Sequence, residues 1–152
     1  MTSLKINKVD MSNLKRKMAQ LEDLSKKGLT NEIGKTASLS SARIKKTLAS
    51  TPFKHSRGGL KQATNFGKSG KTAYIETSKH YAPYIEFGLG KDVNLNDMLQ
   101  LGIPPSYAMQ FKGRGIKEID RAAKPFFFPS IRVEYRKLFD RLKKRINKII
   151  KR

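Results

Sequence analysis

The chain has 152 residues, 33 of them lysine or arginine against 12 acidic ones, for a formal net charge of +21. That length suits one domain with a single core, and 38% apolar with 30% charged residues makes its surface extensive and polar. The lack of cysteine excludes a disulfide framework, a thiolate zinc site and a cysteine nucleophile, while two histidines, His55 and His80, leave little for imidazole chemistry.

The helical period opens the chain. Met11, Leu14, Met18, Leu21 and Leu24 recur at spacings of three and four, so a first helix is expected, capped by Asp10 or Ser12. Gly28, after Lys26 and Lys27, is placed to stop it. A second helix is predicted from about Asn31 to Ser50 on Ile33, Ala37, Ile44 and Leu48, ended by Thr51-Pro52 because the residue before proline is pushed out of the helical region. Leu60–Phe66 and Lys71–Ser78 read as two strands joined by Gly67-Lys68-Ser69-Gly70; in the second, Ala73, Ile75 and Thr77 alternate with Thr72, Tyr74 and Glu76.

The aromatic run from His80 to Gly88 reads as a short helical turn. Residues 89–124, punctuated by Gly90, Gly102, Pro104-Pro105, Gly113 and Gly115, read as an insertion with some structure of its own, including a small helix over Leu95–Leu101 capped by Asn94. Pro125–Pro129 reads as a strand leading to Ser130, an N-cap or first-turn residue. Ile131, Tyr135, Leu138, Leu142, Ile146 and Ile149, with Phe139 beside them, then form one apolar stripe on a helix of about twenty residues. The expected fold class is α+β: one domain over 1–152, with a small antiparallel sheet packed by N-terminal helices (1–50) and a long C-terminal helix. The hairpin and aromatic turn fill 51–88, the insertion 89–124, and the strand and basic helix 125–152.

Charge is uneven along this order. Residues 91–120 carry four basic and four acidic groups, whereas the last 32 residues carry 12 and two. Arg132, Arg136, Arg141, Lys144 and Lys148 are therefore candidates to face DNA phosphates or an acidic partner; the plainer reading is a solvated helix face.

Little in the sequence points to catalysis, and no enzyme activity is expected. Gly70-Lys71-Thr72 resembles the end of a phosphate loop, but the first glycine of that motif should stand at residue 65, which is Asn, and a strand pattern follows where a helix is needed. Glu76 and Glu86 lack the partners of a metal nuclease, and His80 as a general acid or base has only composition behind it. No metal or cofactor is expected. No apolar run approaches the ~20 residues of a membrane span, and residues 1–10 lack the apolar core of a signal peptide.

Three segments, in order, resemble the head–tail joining family of long-tailed bacteriophages, also called neck or tail-completion proteins. Thr51-Pro52 followed by Arg57-Gly58-Gly59-Leu60 is similar to that family's Pro…Thr-Gly-x-Leu turn into a strand. Tyr81-Ala82-Pro83-Tyr84-Ile85-Glu86-Phe87-Gly88 is similar to its Tyr-Ala-x-Tyr-[Val/Ile]-Glu-[Phe/Tyr]-Gly signature. Pro125-Phe126-Phe127-Phe128-Pro129-Ser130 resembles the Pro-Phe-[Leu]-x-Pro-Ala run ahead of its C-terminal helix. Arg57-Gly58 stands where an acidic or Asp-Thr-Gly turn is common, Leu89 replaces the usual Thr, and the insertion is longer than typical.

The resemblance implies a structural virion protein at the head–tail junction, assembled in the host cytoplasm. It also implies a homo-oligomeric ring that contacts other neck and tail proteins, with packaged DNA as a non-specific neighbour. Tyr81, Tyr84, Glu86, Phe87, Phe126 and Phe128 are the packing or interface candidates. Core is favoured for Tyr81, Ile85 and Phe87, and a salt bridge is expected for Glu86, since a carboxylate among aromatics is costly to bury alone. The alternative from another class is a basic nucleic-acid-binding protein or a small ribonuclease-type toxin.

Overall fold

A computed structural model of the chain describes residues 7–50, 58–91, 93–112 and 121–151. Helix α1 (Lys8–Asp23) begins one turn earlier than the periodicity suggests. Its cap is Asn7, whose side chain accepts from the Val9 amide at 3.1 Å, and Asp10 lies inside the first turn, where the helix dipole favours an acid.

Gly28 does not end the helix. A five-residue π turn (Leu24–Gly28) runs directly into α2 (Leu29–Ser50), so the two predicted helices are one rod. Gly28 lacks the positive φ of a helix-ending glycine. Its missing side chain serves packing instead, because a Cβ there would stand 2.7 Å from Leu24 Cδ1. The predicted stop at Thr51-Pro52 lies outside the described residues, as do His55, Gly113 and Gly115.

Gly58, at φ 73°, turns the chain into a single helical turn, α3 (Gly59–Gln62), where a strand was expected. Leu60 is buried, and its carbonyl accepts from the Thr64 hydroxyl at 2.9 Å, which fixes that turn. The hairpin is therefore shorter: β1 (Thr64–Ser69) pairs antiparallel with β2 (Thr72–Thr77), with Thr64 opposite Thr77 and Ser69 opposite Thr72. Only Gly70-Lys71 forms the loop, and Gly70 takes the positive φ that such a turn requires. Gly67, read as loop, lies within β1 beneath the ring of Tyr74; a Cβ would meet that ring at 2.3 Å. The alternation predicted for β2 holds, with Ala73, Ile75 and Thr77 the more buried set.

Helix α4 (Ala82–Phe87) follows, as expected from the aromatic run. The insertion is a small helical lobe: α5 (Leu95–Gln100), α6 (Pro105–Ala108) and a 3₁₀ turn (Met109–Lys112). Asn94 caps α5 by accepting from the amides of Asn96 and Asp97. Met98, Ala108, Phe111 and Val93 form the core of this lobe, with Phe87 packed against them. Residues 125–127 form no strand; their backbone leads straight into α7 (Phe128–Lys151).

The architecture is α+β, with a two-stranded antiparallel sheet, a long N-terminal helix and a long C-terminal one. Helix α2 is its axis, with the hairpin and α7 packed along it. The main core gathers Ile44 and Leu48 of α2, Leu60, Ala82 and Phe126, with Ile75, Ile85, Phe127 and Ile131 around them.

Candidate functional site

The most constrained unit joins two segments forty residues apart. Gly88 closes α4 at φ 77°, ψ −169°, a conformation essentially restricted to glycine. A Cβ there would lie 2.5 Å from the Arg121 carbonyl oxygen and 2.8 Å from the Ala123 nitrogen, so the returning chain passes where only glycine leaves room. Leu89 and Arg121 exchange a pair of backbone hydrogen bonds of 2.9 and 2.8 Å, and the Lys124 amide donates to the Ile85 carbonyl at 2.8 Å.

Glu86 completes the bracket. It is 5% exposed, and its carboxylate accepts from three successive amides: Phe126 at 2.6 Å, Phe127 at 2.8 Å and Phe128 at 3.0 Å. These amides lead into the first turn of α7, where backbone donors lack partners and the helix dipole favours negative charge. The salt bridge expected for Glu86 is thus replaced by a backbone cap supplied from another helix. Ser130 is not the cap; its hydroxyl donates back to the Phe126 carbonyl at 2.6 Å.

Of the remaining candidates here, Phe126 is 1% exposed and Phe87 stacks against Phe128 at 5.8 Å and Phe111 at 5.8 Å. Tyr84 lies at the surface with its ring on Phe111 at 5.1 Å. Tyr81, favoured as core, is at the surface instead, edge-on to His80. Two open clefts, of about 310 and 610 Å³, are both lined in part by Glu86, Phe87 and Phe128; His80, Lys79 and Tyr107 line the larger. Among the described residues no three His, Asp or Glu side chains gather as a metal site, and no helix is long and apolar enough to cross a membrane.

The basic helix divides into two sets of cations. Arg141, expected to face DNA or an acidic partner, is committed inside the fold: its Nε donates to Glu32 Oε2 at 2.8 Å and its Nη2 to the Thr36 hydroxyl at 2.7 Å. Arg145 reaches the other Glu32 oxygen at 3.2 Å. One turn-pair along, Glu134, 4% exposed, accepts from Arg43 at 2.7 Å and Lys137 at 3.1 Å. Burial disfavours the Glu134 carboxylate, but the hydrogen bonds and charges of Arg43 and Lys137 outweigh it and hold its pKa below the ordinary 4.5. Arg132, Arg136, Lys144 and Lys148 are exposed.

The apolar stripe of α7 also splits. Leu138 is buried, with Ile131, Leu142 and Ile149 half-buried, whereas Tyr135, Phe139, Ile146 and Ile150 face solvent. The buried face is centred on Ser130, Glu134, Leu138 and Arg141, so it is partly polar and an apolar stripe does not mark it. Helix α1 buries no residue at all and leaves Leu14, Met18 and Leu21 exposed; its Lys17 donates to the Ile150 carbonyl at 2.6 Å. Comparison with known protein families, curated proteins and solved structures finds no match for the chain.

Proposed function

We propose that the chain is a structural assembly protein of the phage head–tail junction, acting through protein–protein contacts within a ring. The observation that carries this reading is the Glu86 bracket. The fairly specific segment of the resemblance, 81–88, is bonded to its third segment, 125–130, which is weak alone, through Glu86 and the 126–128 amides, and stacks on it through Phe87 and Phe128. The exposed apolar residues of α1 and α7 suit association. A ring would use two different patches on each copy.

Mass photometry of the purified chain, alone and mixed with assembled tails, tests the proposal. A ring-sized increment on tails is the expected result, and a chain that never joins tails or heads would sink it. The exposed Lys144 and Lys148 support a secondary role touching packaged DNA without sequence preference. Such contact would weaken steeply with added salt in a filter-binding assay.

A further inference from the structure

We infer that the outer face of α7 is a docking seam for one acidic amphipathic helix of another protein. Tyr135, Phe139 and Ile150 are 54%, 58% and 55% exposed, and Ile146 is 38% exposed. With half-buried Leu142 they follow one another at steps of four, three, four and four; the first three steps are the spacing of a coiled-coil seam, and Ile150 extends the row one turn further. Tyr135 and Phe139 already contact each other edge to face at 5.2 Å, so the aromatic pair is held ready before any partner arrives. The seam runs about 22 Å along the helix.

Charge identifies the occupant. At 100° per residue, Arg132, Arg136 and Lys143 line the margin of the seam away from α2. The acids of α7 relieve them only in part: Glu134 is buried and paired with Arg43 and Lys137, and Asp140, one turn from both Arg136 and Lys144, is a single carboxylate among these cations. A second copy would bring the same cations against these. Duplex DNA has no use for the apolar row, and a membrane-surface helix presents a broad apolar face, whereas this row is one residue wide. A helix with apolar residues in heptad register and glutamates beside them satisfies both features. This inference stands on α7 alone and does not rest on the head–tail reading.

The test uses the full chain and a labelled peptide with Ile and Leu at the heptad a and d positions and Glu at e and g. Its controls are the same peptide with Lys for Glu and a shuffled acidic peptide of equal composition. The heptad peptide alone should bind, gaining helical circular dichroism on mixing. Phe139→Ala, at an exposed position, should leave the fold intact and weaken binding roughly 10- to 30-fold. Arg136→Glu with Lys143→Glu should weaken it and flatten its salt dependence. Equal binding of the shuffled peptide, or no effect of Phe139→Ala, would overturn the inference. So would Phe139-dependent binding to phosphatidylserine vesicles or duplex DNA that is tighter than to the peptide. A dimer of the protein alone, abolished by Phe139→Asp in sedimentation, would assign the seam to a second copy.

Discussion

Replacing Glu86 with alanine removes both oxygens that hold the chain at the entry to α7. Three amides, those of Phe126, Phe127 and Phe128, then lose their acceptor at once. Stranding a buried donor costs about 1–3 kcal/mol, and bonds to a charged acceptor lie at the upper end. The two clefts that Glu86 lines would admit water to part of the space vacated, which lowers the loss per amide. The net expectation is about 3 kcal/mol, or a fall in Tm of roughly 6–12 °C for a chain of this size. Glu86→Gln keeps the length but turns one acceptor into an NH₂ group facing an amide, so it should recover less than half of that loss. Thermal unfolding followed by far-UV circular dichroism reads the magnitude. Amide exchange at 126–128 reads the place, since those protons should exchange faster than others in the core. A Glu86→Ala protein melting within about 2 °C of wild type would refute the cap as the element that ties α4 to α7.

Other outcomes follow from the same geometry. Gly88→Ala places a Cβ against the Arg121 carbonyl in a glycine-only conformation and should cost about 3 kcal/mol or more, measured by urea denaturation. Arg141→Ala should lower stability by about 1–2 kcal/mol because Glu32 loses the closer of its two arginines, keeping Arg145, and the Thr36 hydroxyl loses the donor it accepts from, whereas Lys144→Ala should change it by less than about 0.5 kcal/mol. An Arg141→Ala protein as stable as wild type would return that residue to the cations available to face DNA or an acidic partner. Glu134 has its pKa lowered in the fold, so the stability it contributes is present above the ordinary value of 4.5 and lost as pH falls below it. The stability gap between wild type and Glu134→Gln should therefore narrow in acid titrations below that value.

Much of the architecture was legible in periodicity and punctuation. The alternation of β2, the Asn94 cap and the long C-terminal helix each follow from side chains interacting within a few residues of themselves. What failed did so where distant contacts decide. Gly28, which reads as a stop because cations precede it, is the exception: its contact is local, with Leu24 of the same π turn filling the space of the missing side chain. Leu60 reads as a strand residue because its neighbours do, while burial in the core holds it in a helical turn.

The candidate site shows the same division. Residues 81–88 and 125–130 stand out singly, but nothing in either run says that a carboxylate in the first caps the backbone of the second. The α2–α7 ion pairs left a fainter trace. Glu32 is the sole acid between residues 31 and 60, and Glu134 is one of two in the last 32 residues. An isolated acid in so basic a stretch marks a position where a negative charge is needed. The outer apolar row of α7 was hidden because the residues facing α2 include Ser130, Glu134 and Arg141, which shifts the buried face away from the most apolar one.

The π turn at Leu24–Gly28 governs where α1 points. A turn closed from residue i to i+5 takes in one residue more than an α turn, which sets everything beyond it back by about 100° around the axis. Counted with that offset, Met11, Leu14, Met18 and Leu21 come onto the same side of the rod as Ala37, Ile44 and Leu48. The core's apolar band therefore does not end with α2. It continues in phase along α1, where Leu14, Met18 and Leu21 stay exposed. Deleting one residue from the π turn would leave every core contact of α2 in place and turn this uncovered extension about a quarter of a circle away.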